Sequence, residues 1–386
     1  MRGVRRAAVA VYGMWCVSVV LPSAQTGPPK TLVEVDDHKL NVRLAGTARP
    51  GVPAVVFESG LGSTIDTWGA VPSEIAGSTR TVAYERAGIG ASEPGAEPRS
   101  IRQIVTELHA LLTKIEVPPP YVFVGHSYGG PIIHTFAATY PKEVAGLVYV
   151  DPTDFTQTDA DMLAIWDKAG IKDGRDALRK AQEQMMGSAP AGVKAEWREL
   201  DRVERGGFAE FRSAGESPDV PTVILLAGKI EPLPPAISFP GNYDRWFQVN
   251  LEQRLDHFSR LAQRASKGTL VHTSKSGHFI HATEPDLLVW GIQRALSSAT
   301  LHTELERFVG EYPLAPTFTI TITRDGDKLF EQATGQPRLQ LFADSATTFS
   351  LKVVDAQIEF QTDAAGKVTG LVLAQNGRRL PAPKTK

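Results

Sequence analysis

The 386-residue sequence contains a single cysteine, and that cysteine lies near its beginning. Cys16 falls within "AAVAVYGMWCVSVVL", an uncharged apolar stretch that follows the basic "MRGVRR". A chain that loses this stretch has no thiol, which excludes disulfides, cysteine nucleophiles and cysteine-based metal sites together.

The first residues have the pattern of a secretory signal peptide. A basic start precedes the apolar run, and the small residues of "PSAQT" follow it, with cleavage expected near Ala24. The alternative is an uncleaved membrane anchor, but the run is shorter than the roughly 20 residues needed to span a bilayer. We therefore expect the protein to be exported to the periplasm or the medium and residues 1–24 to be removed. We expect the mature chain to have no stable membrane span.

Neither sign of charge predominates. Lys and Arg total 41 against 43 Asp and Glu, so the sequence does not indicate a nucleic-acid-binding surface. Three arginines and no acidic residue precede Ala24, so cleavage would change the formal net charge from −2 to −5. The length allows two or three domains, and 42% hydrophobic residues are typical of a globular core; the oligomeric state stays open.

Between about residues 30 and 300, short apolar segments alternate with helical patterns. The predicted strands are near-continuous Val, Ile, Leu and aromatic runs, which indicates burial on both faces of a mostly parallel sheet. They are "AVVF" (54–57), "TVAY" (81–84), "YVFV" (121–124), "GLVYV" (146–150), "TVILL" (222–226) and "TLVHT" (269–273). This alternation predicts an α/β fold.

Residues 154–218 interrupt the alternation with three amphipathic, more charged helical segments. They contain Met162, Met185 and Met186, and methionine suits adaptable surfaces. We expect a mobile helical lid over a substrate pocket, with ordinary helical packing as the alternative.

The composition changes again over residues 303–386. "TFTITIT" alternates strictly, and "DG" (325–326) and "NG" (376–377) are strong hairpin signals. We expect a separate small antiparallel β domain.

The segment "GHSYGG" carries the candidate nucleophile. It is a G-x-S-x-G sequence between a predicted strand and a predicted helix, the setting in which a sharp turn exposes the serine. Gly125 and Gly129 leave room where the chain crowds itself around Ser127. The Tyr128 N–H lies at the start of the helix, where amide donors lack intrahelical partners.

A serine hydroxyl needs a base to remove its proton. His278 in "SKSGHFIH" lies in the loop after the last predicted strand, from which a side chain can reach the nucleophile. His281 is the alternative base. His126 is expected to pack or to bond the backbone.

A carboxylate must then orient the imidazole. Asp151 in "VYVDP" ends one strand, and Glu231 in "LLAGKIEP" follows the next. Asp151 is favoured because its strand end is better defined, and Glu231 stays open as the alternative acid. The glycine-rich "FESGLGSTIDTW" follows "AVVF" and supplies the Leu61 N–H, which we expect to share the oxyanion with the Tyr128 N–H.

These segments, with "YERAGIGASEP" and the motifs above, resemble the α/β-hydrolase superfamily of serine hydrolases. The resemblance implies an eight-stranded, mostly parallel sheet with a lid between strands six and seven. In that family the segment corresponding to Arg86–Ser92 shapes the loop beside the active site. Two positions depart from the usual pattern. Ser59-Gly60 replaces the His-Gly of the oxyanion loop, and Gly228-Lys229-Ile230-Glu231 replaces the usual Asp after strand seven. Relatives with a "VDP" ending can place the acid after strand six.

The last segment, with "FVGEYPLAP", "ATGQP" and "GLVLAQNG", resembles the small lipocalin-like domain appended to β-lactamase-like serine peptidases. The sequence thus predicts a serine hydrolase that cleaves a small, moderately hydrophobic ester through an acyl-enzyme, without metal or organic cofactor. Amide, peptide or lactone hydrolysis on the same residues, or a non-catalytic binding protein on this scaffold, are the alternatives.

N-terminal sequencing of protein recovered from the periplasm or medium tests the signal peptide. We expect a mature chain that begins close to Gln25, because the small residues before it form the cleavage site. An exported chain that still begins at Met1 would contradict cleavage.

Overall fold

The computed structural model describes residues 31–49, 51–213, 217–233, 239–265, 267–326, 328–345, 347–363 and 366–385. The predicted signal peptide, including Cys16, lies outside the described residues. The chain divides into two compact units, the first ending at Ala299 and the second running from Thr300 to Lys386.

Eight strands form one sheet in the first unit. They are β1 (Thr31–Val35), β2 (His38–Ala45), β3 (Ala54–Glu58), β4 (Thr81–Tyr84), β5 (Tyr121–His126), β6 (Val144–Val150), β7 (Thr222–Ala227) and β8 (Gly268–Thr273). Their order is β1-β2-β4-β3-β5-β6-β7-β8. Only β1 and β2 pair antiparallel with their neighbours, so the sheet is mostly parallel, as predicted. Every residue of β3 to β7 is buried, which explains their unbroken apolar runs.

Helices connect these strands. They are α1 (Val71–Ile75), α2 (Ile101–Lys114), α3 (Gly129–Thr139), α4 (Asp159–Ala169), α5 (Gly174–Met186), α6 (Ala191–Arg205), α7 (Ala209–Ser213), α8 (Tyr243–Arg264), α9 (Ile280–Thr283) and α10 (Pro285–Glu306). Helices α4 to α7 occupy the insertion between β6 and β7 that the sequence predicts as a lid. Within the described part of the chain, no helix is both long and apolar enough to cross a membrane.

The parallel strands end at nearly the same level. Glu58 at the end of β3 pairs in register with Gly125 of β5, and His126 pairs with Val150 of β6. Loops that follow parallel strands therefore meet along one edge of the sheet, which is where sites form in open α/β folds. The candidate residues Leu61, Ser127, Asp151, Glu231 and His278 all lie in loops at this edge.

The second unit is an antiparallel sheet in which β9 to β16 pair in sequence order. Its strands are β9 (Gly310–Ala315), β10 (Phe318–Asp325), β11 (Lys328–Ala333), β12 (Leu339–Ala343), β13 (Thr348–Leu351), β14 (Ala356–Thr362), β15 (Val368–Gln375) and β16 (Arg378–Pro383). Ile320 and Ile322 are buried on one face, as the alternation predicts. Asn376 and Gly377 have φ of 50° and 73°, the left-handed backbone that a two-residue hairpin turn requires.

Candidate active site

Ser127 lies on the turn between β5 and α3. Its φ is +52°, a left-handed conformation that costs energy for a residue with a side chain. The turn is fixed by the backbone on both sides of the serine. The Ser127 N–H donates to the Val150 carbonyl at 3.1 Å, and its carbonyl accepts from the Gly130 and Thr153 N–H groups at 2.9 and 3.0 Å.

Two glycines make this turn possible. A Cβ on Gly125 would lie 2.6 Å from the Gly129 carbonyl oxygen, and one on Gly129 would lie 2.2 Å from the Glu58 carbonyl oxygen. Both obstacles are backbone atoms that cannot rotate away. Glycine at these positions is therefore a steric requirement of the turn.

Asp151 and His278 meet at the sheet edge. The Asp151 Oδ2 lies 2.6 Å from the His278 Nδ1, and both side chains are fully buried. This distance is that of a strong, charge-assisted hydrogen bond. A ring held through Nδ1 has its Nε2 available for proton transfer. The His278 ring also lies near the turn that carries Ser127, with its centroid 4.6 Å from that of the adjacent His126 ring.

Two further donors hold the other oxygen of Asp151. Oδ1 accepts from the Ala227 N–H at 3.1 Å and from the Arg254 Nη2 at 2.9 Å. Burial raises the pKa of Asp151, but the Arg254 charge and the hydrogen bonds from His278 and Ala227 outweigh burial and bring that pKa below its ordinary value. Asp151 is therefore held as a carboxylate.

Arg254 was not predicted from the sequence. Arg254 is buried on α8, four residues before the buried Phe258. A charged residue at a core-facing position of an otherwise amphipathic helix is the signal that could have identified it.

Glu231, the alternative acid, contacts a different part of His278. Its carboxylate accepts a hydrogen bond from the His278 backbone N–H and packs against Gly277, where a Cβ would lie 2.0 Å from the Glu231 Cδ. Burial raises the pKa of Glu231 above its ordinary value despite this bond. The structure therefore brings Asp151 to the imidazole ring and Glu231 to the backbone of the same residue.

Two further histidines, His126 and His281, are buried beside this pair. The His126 Nε2 lies 3.0 Å from the His278 carbonyl oxygen, as expected of a ring that donates to the backbone. Burial and the nearby charge of His278 lower the pKa of His281 to about 3. Within the described residues neither ring nitrogen of His281 has a hydrogen-bond partner. His281 therefore stays neutral and packs against Trp68 at 5.2 Å between ring centroids.

The loop after β3 lies against Ser127. A Cβ on Gly60 would lie 2.9 Å from the His126 Nδ1 and 3.4 Å from the Ser127 Cβ, so a glycine here leaves room for the His126 ring beside Ser127. Neither the Leu61 N–H nor the Tyr128 N–H donates a hydrogen bond to any of the described residues. Two buried amide N–H groups next to one serine can donate hydrogen bonds to an oxygen on which negative charge develops.

Comparison with known proteins places the chain in a family. Residues 55–289, more than half of the chain, match the model of the Alpha/beta hydrolase family. The protein belongs to the α/β hydrolase family. Residues 297–381 match a domain of unknown function, DUF3471, which covers most of the antiparallel unit.

Several curated relatives match parts of this chain. An AB hydrolase superfamily protein of Gibberella zeae is 24% identical over 294 residues, which cover 66% of this chain and 89% of that protein. The uncharacterized protein YqjL of Bacillus subtilis is 38% identical over 98 residues, which cover 25% of this chain. The chain spans only 39% of the length of YqjL and 19% of that of the probable transporter efuK of Hormonema carpetanum.

A solved structure shares the same fold. The crystal structure of a putative lipase (lip1) from Acinetobacter baumannii AYE superposes on this α/β hydrolase with a TM-score of 0.51 at 17% identity. The match covers 72% of this chain and 93% of the other. At this identity the likeness shows the fold alone.

Replacing Arg254 tests the buried ion pair at Asp151. We expect Arg254→Met to lower the free energy of unfolding at pH 7 by about 3–5 kcal/mol, because it leaves a buried carboxylate without its cation. Asp151 has a lowered pKa in the folded protein, so this contribution is present above the ordinary carboxyl pKa and is lost as the pH falls through the lowered value. The deficit of the variant should therefore shrink in acid.

Urea unfolding followed by circular dichroism at several pH values measures this effect. Arg260→Met is the matched control, because Arg260 lies on the same helix in an exposed pair with Asp256. It should change stability by less than about 1 kcal/mol. Equal losses in the two variants would contradict a special role for the buried pair.

Proposed function

We propose that this α/β hydrolase is an exported serine hydrolase that cleaves a carboxylic ester of a small molecule through an acyl-enzyme. The observation that carries the proposal is the 2.6 Å contact between Asp151 and His278 at the sheet edge where Ser127 lies on its strained turn. The family supports hydrolysis in general. Export rests on the pattern of residues 1–24 alone.

In the proposed reaction the Ser127 Oγ attacks the ester carbonyl carbon while the His278 Nε2 takes the hydroxyl proton. The carbonyl oxygen becomes an oxyanion, and the N–H groups of Leu61 and Tyr128 stabilise it. Removing one such donor in other enzymes costs about 2.7–4 kcal/mol of transition-state stabilisation. Asp151 fixes the ring and stabilises its positive charge.

Collapse of this intermediate breaks the bond to the alcohol, which leaves with the proton from His278. Water then attacks the acyl-serine, and His278 takes a proton from that water. The second collapse releases the carboxylic acid and returns the proton to Ser127. Each turn of the cycle consumes one ester and one water molecule and releases one alcohol and one carboxylic acid.

We infer a moderately hydrophobic acyl group from the lid. A cavity of about 80 Å³ lies between the lid helices and α8 and reaches Arg254, the partner of Asp151. Met162, Ile165, Trp166 and Trp246 offer apolar surface there. Leu163, which lies between Met162 and Ile165 on α4, is 46% exposed and does not line this cavity. Charged side chains from α5, α6, α8 and the segment before α4 line the same cavity, so we expect a limit to the length of the apolar group. These residues are Asp154, Arg175, Arg179, Asp201, Glu204, Arg205 and Arg254.

A fluorophosphonate probe and a substrate panel test this proposal. We expect labelling of one serine and hydrolysis of p-nitrophenyl esters, both lost in Ser127→Ala and kept in Ser188→Ala, an exposed control. Butanoyl to octanoyl esters should be preferred over acetyl and dodecanoyl esters. Anilides and lactones in the panel separate the alternatives. A wild-type protein that is neither labelled nor active on any member would favour a binding protein.

Substitution of the two carboxylates tests which one supports the base. We expect Asp151→Asn to lower kcat by about 10⁴-fold, because an amide cannot hold the imidazole in the required tautomer or stabilise its charge. Glu231→Gln should cost less than about tenfold, since its amide oxygen can still accept the His278 backbone N–H. The reverse order of losses, measured on folded proteins, would make Glu231 the acid.

A further inference from the structure

A buried arginine connects the lid to the loop that carries Leu61. Arg86 is 2% exposed, and it donates to the carbonyl oxygens of Ser59 and Gly60, each at 2.7 Å. The same guanidinium binds the carboxylate of Glu58 at 2.5 Å. It also binds both carboxylate oxygens of Glu196, at 2.5 and 2.8 Å. Glu196 belongs to lid helix α6 and is fully buried.

Glu196 also contacts the loop directly. Its Oε2 accepts the Gly62 N–H at 2.8 Å. The beginning of α6 packs closely on the core, since a Cβ on Gly192 would lie 2.1 Å from the Gly88 carbonyl oxygen. Val193 lies 3.0 Å from where a Cβ on Gly62 would be. This part of the lid is therefore fixed against the loop by backbone packing and by a buried charge.

These contacts fix the two peptide units that flank Leu61. The Gly60 carbonyl and the Leu61 N–H belong to one planar trans peptide, so they point in opposite directions. Arg86 holds that carbonyl at 2.7 Å together with the Ser63 N–H, which donates to the same oxygen at 3.1 Å, and these contacts set the direction of the Leu61 N–H. The next peptide unit contains the Gly62 N–H, which Glu196 holds.

We propose that Glu196 of the lid is a positioning residue for the oxyanion donor, acting through Arg86 and the Gly62 N–H to orient the Leu61 N–H. The inference rests on the proposed function, because the oxyanion forms only if Ser127 attacks a carbonyl. Helix α6 then belongs to the catalytic scaffold, and substrate entry must occur without its displacement.

Glu196→Gln tests the proposal while keeping the size of the side chain. Glu58 remains to neutralise Arg86, so we expect the variant to fold. The control is Glu199→Gln on the same helix. Glu199 is also buried, but it accepts the Ile101 N–H at 3.1 Å and pairs with Arg202 at 2.7 Å, so its described contacts are away from the loop.

Three measurements follow on each variant: kcat and KM for the best ester, the inhibition constant of a boronic acid, and deuterium exchange of the peptide spanning residues 57–68. In Glu196→Gln we expect kcat to fall ten- to a hundredfold with KM within threefold, since loss of a whole oxyanion donor costs about 10²–10³. Boronate binding should weaken in parallel, and exchange in the loop should become faster. Glu199→Gln should change none of the three.

Unchanged kcat and exchange in Glu196→Gln would overturn the proposal, as would equal losses in both variants, which indicate general loosening of the lid. The exchange measurement needs no substrate. It therefore decides whether Glu196 holds the loop even if the wild type cleaves no ester, a result that would count against the proposed function instead.

Discussion

The geometry of the site depends on one buried negative charge, the carboxylate of Asp151, which must be compensated by hydrogen-bond donors and a cation. A buried ion without partners costs several kcal/mol, so the fold must bring donors to it. The donors are Arg254 of α8, the Ala227 N–H at the end of β7 and the ring of His278 after β8. Three segments that are far apart in the sequence are thus bound to the end of β6, and the candidate base is held in place by the same contacts.

A second buried charge organises the loop after β3. Arg86 links the carbonyls of Ser59 and Gly60 to the carboxylates of Glu58 and Glu196, and none of these carboxylates is exposed. Polar groups held in this way do not have to reorient when charge develops nearby, which is how oxyanion donors lower a reaction barrier. Both ionic clusters thus hold polar groups in fixed orientations near Ser127.

The strands and the turn at Ser127 could be predicted because their signals are local. Buried parallel strands are apolar throughout, and Gly125 and Gly129 are required by backbone crowding. The choice between Asp151 and Glu231 is not local. Both follow strands that are neighbours in the sheet, and only the three-dimensional structure shows which carboxylate reaches the imidazole. Arg254 and Glu196 were missed because a charged residue on an amphipathic helix is ordinarily assigned to the solvent face.

The most direct test of the proposed proton transfer from Ser127 to His278 is a crystal structure of the protein after reaction with a phosphonate ester. We predict a bond from the Ser127 Oγ to phosphorus, with a phosphonyl oxygen within about 3 Å of the Leu61 and Tyr128 amide nitrogens. The His278 Nε2 should lie within hydrogen-bond reach of the Ser127 Oγ, with Asp151 still on Nδ1. An adduct on another residue, or a His278 ring far from the Ser127 Oγ in the adduct, would contradict the account.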